Sequence, residues 1–139
     1  MALSIRLKLL SVIDKLVKMA SDLELVEKLL EEFPEARARS ALLTIYDERG
    51  RLSIHLALEG GRPAAREVDA KNPPFATTEI SMHVDTFIAL FERRLDFWTA
   101  YLHDLVEVKS NDGLPASYHV LLWGAFFDKL FSQVLPKRR

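Results

Sequence analysis

The chain has 139 residues, a length that accommodates one domain with a sizeable core. Nineteen basic and twenty acidic residues give a net charge of −1, which excludes the strongly basic surface of a dedicated nucleic-acid binder. The absence of cysteine excludes disulfides, thiolate metal sites and thiol nucleophiles, and a hydrophobic content of 49% excludes wholesale disorder.

The first twenty residues do not resemble a signal peptide, because charged residues such as Arg6, Lys8 and Asp14 interrupt their apolar positions. No window of the sequence reaches the roughly 18 apolar residues that a membrane-spanning helix needs. The basic tail 137–139 matches no receptor-read address. We therefore expect a cytoplasmic protein, in which this tail and the pair Arg93–Arg94 allow transient contact with an anionic membrane surface.

Amphipathic helices are predicted at both ends of the chain. Apolar residues recur every three or four positions over residues 1–33, which predicts a helical segment that buries one face. Asp85 and Asp96 are typical N-caps and predict two short helices. The second is expected to bury Phe97 and Tyr101, with Trp98 as a further candidate for the buried side. Residues 117–135 predict a last helix whose apolar arc is wider than packing on one sheet face requires.

Strand patterns occupy residues 40–112, between the terminal helices. Polar and apolar residues alternate with a period of two, which is typical of strands with one buried and one wet face. Tight turns join the first strands, and the two short helices form a later crossover. This order predicts a single α+β domain over residues 1–139, with a small mixed sheet and helices packed over one face. The predicted strands are residues 42–47, 52–58, 77–83 and 106–109, with a further short strand open at 64–68.

Motifs that carry chemistry are absent from the sequence, which contains no nucleophile elbow, dinucleotide fingerprint, phosphate loop or zinc-protease motif. We therefore predict no cofactor, no metal and no catalytic residue. His55 and His83 lie on the polar sides of their strands and would face each other across neighbouring strands, with Glu79 or Glu107 as a third metal ligand. The more common alternative is two exposed histidines on the wet face of a sheet. His119, near the start of the last helix, has no evident partner.

The stretch from Ala76 to Val108 resembles the sterol carrier protein type-two family of small lipid-binding domains, and the likeness extends over residues 40–112. The chain looks like a stand-alone prokaryotic relative. The resemblance rests on the segments Ala76–Met82, Asp85–Leu90, Leu95–Leu102 and Val106–Val108.

Three features depart from the family pattern. Two glycines that the family pattern leads us to expect are replaced, one within Glu92–Arg94 and one near His103–Asp104. Ser110–Asp112 stands where the family has a Gly-Asp pair. These replacements concern the mouth of the pocket that the family encloses.

The resemblance implies a sheet of about five strands and an apolar tunnel for a fatty acyl chain, a sterol or another lipid, without catalysis. The candidate lining residues are bulky apolar side chains of the predicted helices: Phe87, Leu90, Phe91, Trp98, Trp123, Phe126, Phe127 and Phe131. Two other functions stay open. One is a homodimeric interaction module whose interface is the aromatic last helix or the stripe of residues 1–33. The other is a small enzyme that uses His55 and His83.

Overall fold

A computed structural model describes residues 31, 39–48, 50–59, 62–69 and 71–134, and their side chains except those of residues 58–59, 62–65 and 129–134. Apart from residue 31, which is helical, the helical segment predicted over residues 1–33 lies outside the described residues. The described elements are β1 (Ser40–Tyr46), β2 (Arg51–Glu59), β3 (Arg62–Val68), β4 (Thr78–His83), α1 (Val84–Phe91), α2 (Phe97–Leu102), β5 (Val106–Ser110) and α3 (Ala116–Val134).

The five strands form one mixed sheet in the order β3-β2-β1-β4-β5. β1 and β4 are parallel, and the other three neighbouring pairs are antiparallel. The strand left open at residues 64–68 is present as β3, at one edge. The predicted fold class, an α+β domain with a small mixed sheet and helices over one face, is confirmed.

One face of the sheet is apolar and packs against the helices, as the alternation along the strands predicts. Leu43 of β1 lies opposite Ile54 of β2 and Ile80 of β4, and all three side chains are buried. Val108 of β5 extends this row beside Ile80. Helices α1, α2 and α3 contact β1, β4 and β5, and their buried side chains join those of the strands in one core cluster.

The last helix, α3, has 19 residues and carries the apolar side chains that the sequence analysis singled out. Val120, Trp123 and Phe127 are spaced by three and four positions and are buried on one side. Leu121 lies on the opposite side and is exposed. Within the described ranges, no helix combines the length and the apolarity needed to cross a membrane.

The first turns of α1 and α2 are capped differently. The prediction that Asp85 caps α1 is wrong, because β4 runs directly into the helix and leaves the extended His83 as the N-cap. The His83 Nδ1 atom accepts the backbone N–H of Asp85 at 3.1 Å. Asp96 caps α2 as predicted and accepts the Thr99 N–H at 2.8 Å. Hydrogen bonds from the Thr99 backbone and hydroxyl lower the pKa of the Asp96 carboxyl.

Both short helices end in a left-handed residue that is not glycine. Arg93 has φ 63° and Asp104 has φ 59°. At each end the backbone N–H groups of this residue and the next donate back to the last turn, as Arg94 to Ala89 at 2.9 Å and Leu105 to Ala100 at 2.9 Å. Arg93 and Asp104 lie in the two stretches, Glu92–Arg94 and near His103–Asp104, where the resemblance leads us to expect a glycine.

Glycine at Arg93 or at Asp104 is expected to stabilise the protein. A non-glycine residue in the left-handed region costs about 1–2 kcal/mol, part of which the greater entropy of unfolded glycine offsets. We therefore expect Asp104→Gly and Arg93→Gly each to raise the free energy of unfolding by about 1 kcal/mol in urea denaturation. The matched control is His103→Gly, one residue earlier, where φ is −95° and glycine has no advantage. Equal effects of His103→Gly and Asp104→Gly would contradict this account.

Candidate functional site

Four aromatic rings pack against one another where α2 and α3 meet, and we call them the aromatic layer: Phe97, Trp123, Phe126 and Phe127. The ring centroids of Phe97 and Phe127 are 5.7 Å apart, and those of Trp123 and Phe126 are 5.4 Å apart. Gly124 lies against this layer, and a Cβ atom there would be 3.4 Å from the Phe97 Cβ. The backbone of α3 at Gly124 therefore packs directly against the Phe97 side chain of α2.

Six of the eight predicted lining residues lie in the core cluster or against it. Trp98 is 40% exposed and lies outside the cluster. Phe131 belongs to α3, but its side chain lies outside the described ones. The six are Phe87, Leu90, Trp123 and Phe127, which are buried, and Phe91 and Phe126, which are partly buried. Their role in ligand binding stays a prediction.

Phe97 belongs to the aromatic layer, although the predicted lining contained its neighbour Trp98 instead. Phe97 is only 2% exposed. Because Asp96 fixes the start of α2, Phe97, Ala100 and Tyr101 share one face of the helix, and Trp98 falls on another. Helical spacing counted from this cap was the signal that identifies Phe97 as the inward residue.

A hydrogen-bond network surrounds His119, whose side chain is 0% exposed. Its Nδ1 atom lies 2.6 Å from the Thr78 Oγ1 atom. Its Nε2 atom lies 2.8 Å from Asp112 Oδ1 and 3.0 Å from Ser110 Oγ. The indole N–H of Trp123 donates to the same Thr78 oxygen at 3.1 Å. The network thus joins α3 to β4 and to the end of β5, and it contacts the aromatic layer through Trp123.

The donors and acceptors of this network fit a neutral His119 with its hydrogen on Nε2. The Asp112 carboxylate beside Nε2 can only accept, so Nε2 carries the hydrogen, and Nδ1 of the neutral ring then accepts the hydroxyl hydrogen of Thr78. The Thr78 oxygen in turn accepts from the Trp123 indole. The Nε2–H group then donates to the Asp112 carboxylate. Burial lowers the pKa of His119, and the positive charge of Arg39 lowers it further. Both effects favour the neutral imidazole.

An ion pair closes the network on its outer side. The Arg39 guanidinium pairs with the Asp112 carboxylate, and both side chains are largely buried. Arg39 also lies over the Tyr118 ring, 5.4 Å from its centroid. The expectation that His119 has no partner is therefore wrong. Its hydrogen-bond partners are Thr78 of β4 and two residues at and after the end of β5, Ser110 and Asp112. Ser110–Asp112 is also the stretch that departs from the family pattern.

Two surface clefts flank α2. One, of about 410 Å³, follows the outer side of β5 next to Tyr101 and Asp104. The other, of about 290 Å³, has the apolar Leu90 and Leu95 together with charged side chains at the turn between α1 and α2. In this second cleft burial raises the pKa of Asp128, although the nearby Arg93 opposes the shift. The remaining residues of the second cleft are Arg93, Arg94, Asp96, Thr99 and Asp128.

The two strand histidines lie apart. β1 runs between β2 and β4, so the prediction that His55 and His83 face each other across neighbouring strands is wrong. His55 lies opposite Leu42 and His83 opposite Tyr46, four positions further along β1. His55 instead lies 3.3 Å from the backbone oxygen of Phe75. Within the residues that the structure describes, no group of three or more candidate metal ligands occurs.

Comparison with known proteins identifies the fold. No family model and no curated protein matches the sequence. Sterol carrier protein 2 from Yarrowia lipolytica, in its apo form, is similar in structure with a TM-score of 0.58, at 15% identity over 89% of each chain. Sterol carrier protein 2 like 2 from Aedes aegypti gives 0.57, at 13% identity over 84% of this chain and 97% of that one.

The palmitated form of the Aedes aegypti protein, solved in solution, has a TM-score of 0.53. Its identity is 13% over 79% of this chain and 93% of that one. These structures share the five-stranded mixed sheet with helices packed on it, and they match most of the chain. The chain therefore has the fold of the sterol carrier proteins.

Proposed function

We propose that this protein is a non-catalytic carrier that binds one apolar ligand, a fatty acyl chain, a sterol or another lipid, in a hydrophobic tunnel beneath α3. The aromatic layer is the observation that carries the proposal, because it places large apolar surface at the junction of two helices and the sheet. A protein of the same fold, from Aedes aegypti, has been solved in a palmitated form. A cytoplasmic carrier of this kind would meet membranes transiently when it loads and unloads.

The expected affinity follows from the apolar surface that a ligand buries. Each methylene group removed from water contributes about 0.8 kcal/mol, so about twelve of them contribute roughly 10 kcal/mol. Loss of translational and rotational freedom and ordering of side chains consume several kcal/mol of that sum. A dissociation constant in the micromolar range is therefore expected for a saturated fatty acid.

Palmitate binding to delipidated protein tests the proposal. Tryptophan emission is followed during the titration, and native mass spectrometry gives the stoichiometry. We expect a saturable change and a single bound palmitate. Phe126→Ala, which removes a ring of the aromatic layer, is expected to weaken binding at least tenfold. Leu121→Ala on the exposed side of the same helix is the matched control and should leave the affinity unchanged.

Two results would reject the carrier proposal. One is the absence of a saturable response and of a bound lipid across fatty acids and sterols. The other is an equal loss of affinity in Phe126→Ala and Leu121→Ala, because a general loss of stability rather than the aromatic layer would then account for it.

A homodimeric interaction module is the second candidate. Apolar side chains are exposed on and after α2: Leu102 is 61% exposed, and Trp98 and Leu105 are also exposed. Such a patch is typical of surfaces that meet another protein. Light scattering at tens of micromolar distinguishes the two functions. A dimer that Leu102→Glu converts to a monomer supports the module, and a monomeric wild-type protein rejects it.

A further inference from the structure

The buried His119 network occupies the N-terminal half of α3, at the place where that helix is attached to the sheet. We propose that His119 is a proton-sensitive latch: the neutral imidazole holds this end of α3 against β4 and β5, and protonation releases the helix end and the ligand beneath it. The release of ligand rests on the proposed carrier function, whereas the latch does not.

The hydrogen-bond pattern makes the latch sensitive to one proton. In the neutral form the polar hydrogens of the Trp123, Thr78 and His119 side chains all have acceptors. His119 Nε2–H donates to Asp112, and Thr78 accepts from Trp123 and donates to His119 Nδ1. A proton on Nδ1 removes that acceptor. The two lone pairs of the Thr78 oxygen can accept both N–H groups, but its own hydrogen loses its partner in a fully buried place. Protonation therefore leaves one buried donor unsatisfied and puts a charge on a buried ring, which weakens the attachment of α3 to β4.

The charged groups around His119 decide the direction of the effect. From the segment after β5, the Asp112 carboxylate faces Nε2 and favours a positive imidazole. From the segment before β1, Arg39 opposes that charge and also pairs with Asp112. Glu79 of β4 lies nearby and accepts a hydrogen bond from the Asn111 side chain at 2.7 Å. The groups on the remaining side, Thr78 of β4 and Trp123 and Tyr118 of α3, are uncharged at neutral pH.

The sign of the pH dependence follows from the lowered pKa of His119. The latched state holds the imidazole below its ordinary pKa of about 6.5, so an opened state binds the proton more strongly. The latch is therefore fully stable above about pH 6.5 and weakens as the pH falls below that value. Because Trp123 belongs to both the network and the aromatic layer, opening at His119 reaches the proposed ligand site directly.

Hydrogen exchange at the two indole N–H groups tests the latch without a ligand. Trp98 is exposed and serves as an internal reference for the intrinsic effect of pH, while Trp123 reports on the network. In the wild-type protein we expect the protection of Trp123 relative to Trp98 to fall at least tenfold between pH 7.5 and pH 5.0. In His119→Asn, which keeps an acceptor for Thr78 and does not titrate, the ratio should stay constant. His103→Asn, at an exposed histidine, should behave as the wild type does.

Palmitate affinity at the same two pH values tests the release. The wild type and His103→Asn are expected to lose at least tenfold in affinity at pH 5.0, and His119→Asn is expected to lose no more than twofold. If palmitate binds at neither pH, the carrier function fails and the indole protection alone decides on the latch. A constant Trp123 protection in the wild type, or an equal loss in His119→Asn, overturns the latch. If His119→Asn does not fold, the wild-type protein alone decides. The pH midpoint for loss of Trp123 protection is then compared with the pH midpoint of His119 protonation, measured by nuclear magnetic resonance. A difference between these two midpoints overturns the latch.

Discussion

Replacing Phe97 by alanine is expected to lower the free energy of unfolding by about 3–5 kcal/mol, the usual cost of truncating a large aromatic residue in a packed core. Phe97 is 2% exposed, contacts the Phe127 ring at 5.7 Å between centroids, and lies against the bare backbone of Gly124. Nothing at Gly124 can move in to fill the space that the ring leaves. The loss therefore combines the transfer free energy of the ring with the cost of the remaining cavity.

Urea denaturation followed by far-ultraviolet circular dichroism measures this loss. Phe75→Ala is the matched control, because Phe75 is 71% exposed and its truncation should change the free energy of unfolding by less than about 0.5 kcal/mol. A difference between the two variants below 1 kcal/mol would contradict the assignment of Phe97 to the centre of the layer.

Replacing Asp112 by alanine is expected to cost about 3–5 kcal/mol, because it leaves the partly buried charge of Arg39 without its partner. The same substitution removes the acceptor of the His119 Nε2–H group and the acceptor of the Leu114 backbone N–H at 3.2 Å. Ser110 also loses the oxygen to which its hydroxyl donates. The His119 group is buried, so leaving it without an acceptor adds to the cost.

A double-mutant cycle with Arg39→Ala separates these contributions. The double variant is expected to be more stable than the sum of the two single losses predicts, because it contains no unpaired guanidinium. Asp85→Ala is the matched carboxylate control, since Asp85 is exposed and lies 3.5 Å from His83 at the start of α1. Strict additivity of Arg39→Ala and Asp112→Ala would show that the two side chains do not stabilise each other.

Local chemistry made much of the fold predictable. The alternation in residues 52–58 and 77–83 identified β2 and β4, because a half-buried strand leaves a period of two in the sequence. The Asp96 cap located the start of α2, since its side chain satisfies a backbone donor three residues away. Such signals need only neighbouring residues. They failed at Asp85, because β4 continues directly into α1 and makes His83 the N-cap.

Strand order and the polar network were not predictable in this way. The parallel pairing that places β1 between β2 and β4 joins distant segments, and no local pattern indicates it. For that reason His55 and His83 were expected on neighbouring strands. His119 was expected to have no partner for the same reason, because Thr78 lies 41 positions away in the sequence. Tertiary packing brings these groups together, and no local pattern in a single sequence records it.

The aromatic site was predictable in part. The width of the apolar arc on α3 indicated Trp123 and Phe127 correctly as inward residues. Phe97 is buried, as expected from its place on α2, whereas the lining prediction took its neighbour Trp98, which is exposed. A helix of fewer than two turns has little periodicity of its own, so the Asp96 cap is the signal that separates the two residues.

The central position of β1 determines how the chain can be divided. Residues 40–68 form one contiguous three-stranded meander, and residues 78–134 contain the other two strands and the three helices. The two parts meet along the β1–β4 ladder. At the start of this ladder the backbone N–H of Ser40 donates to the Thr77 hydroxyl, and the backbone N–H of Thr77 donates to the Ser40 hydroxyl. If the connecting loop were cut, the β1–β4 register would therefore be the only ladder to be restored between the described parts of the two fragments.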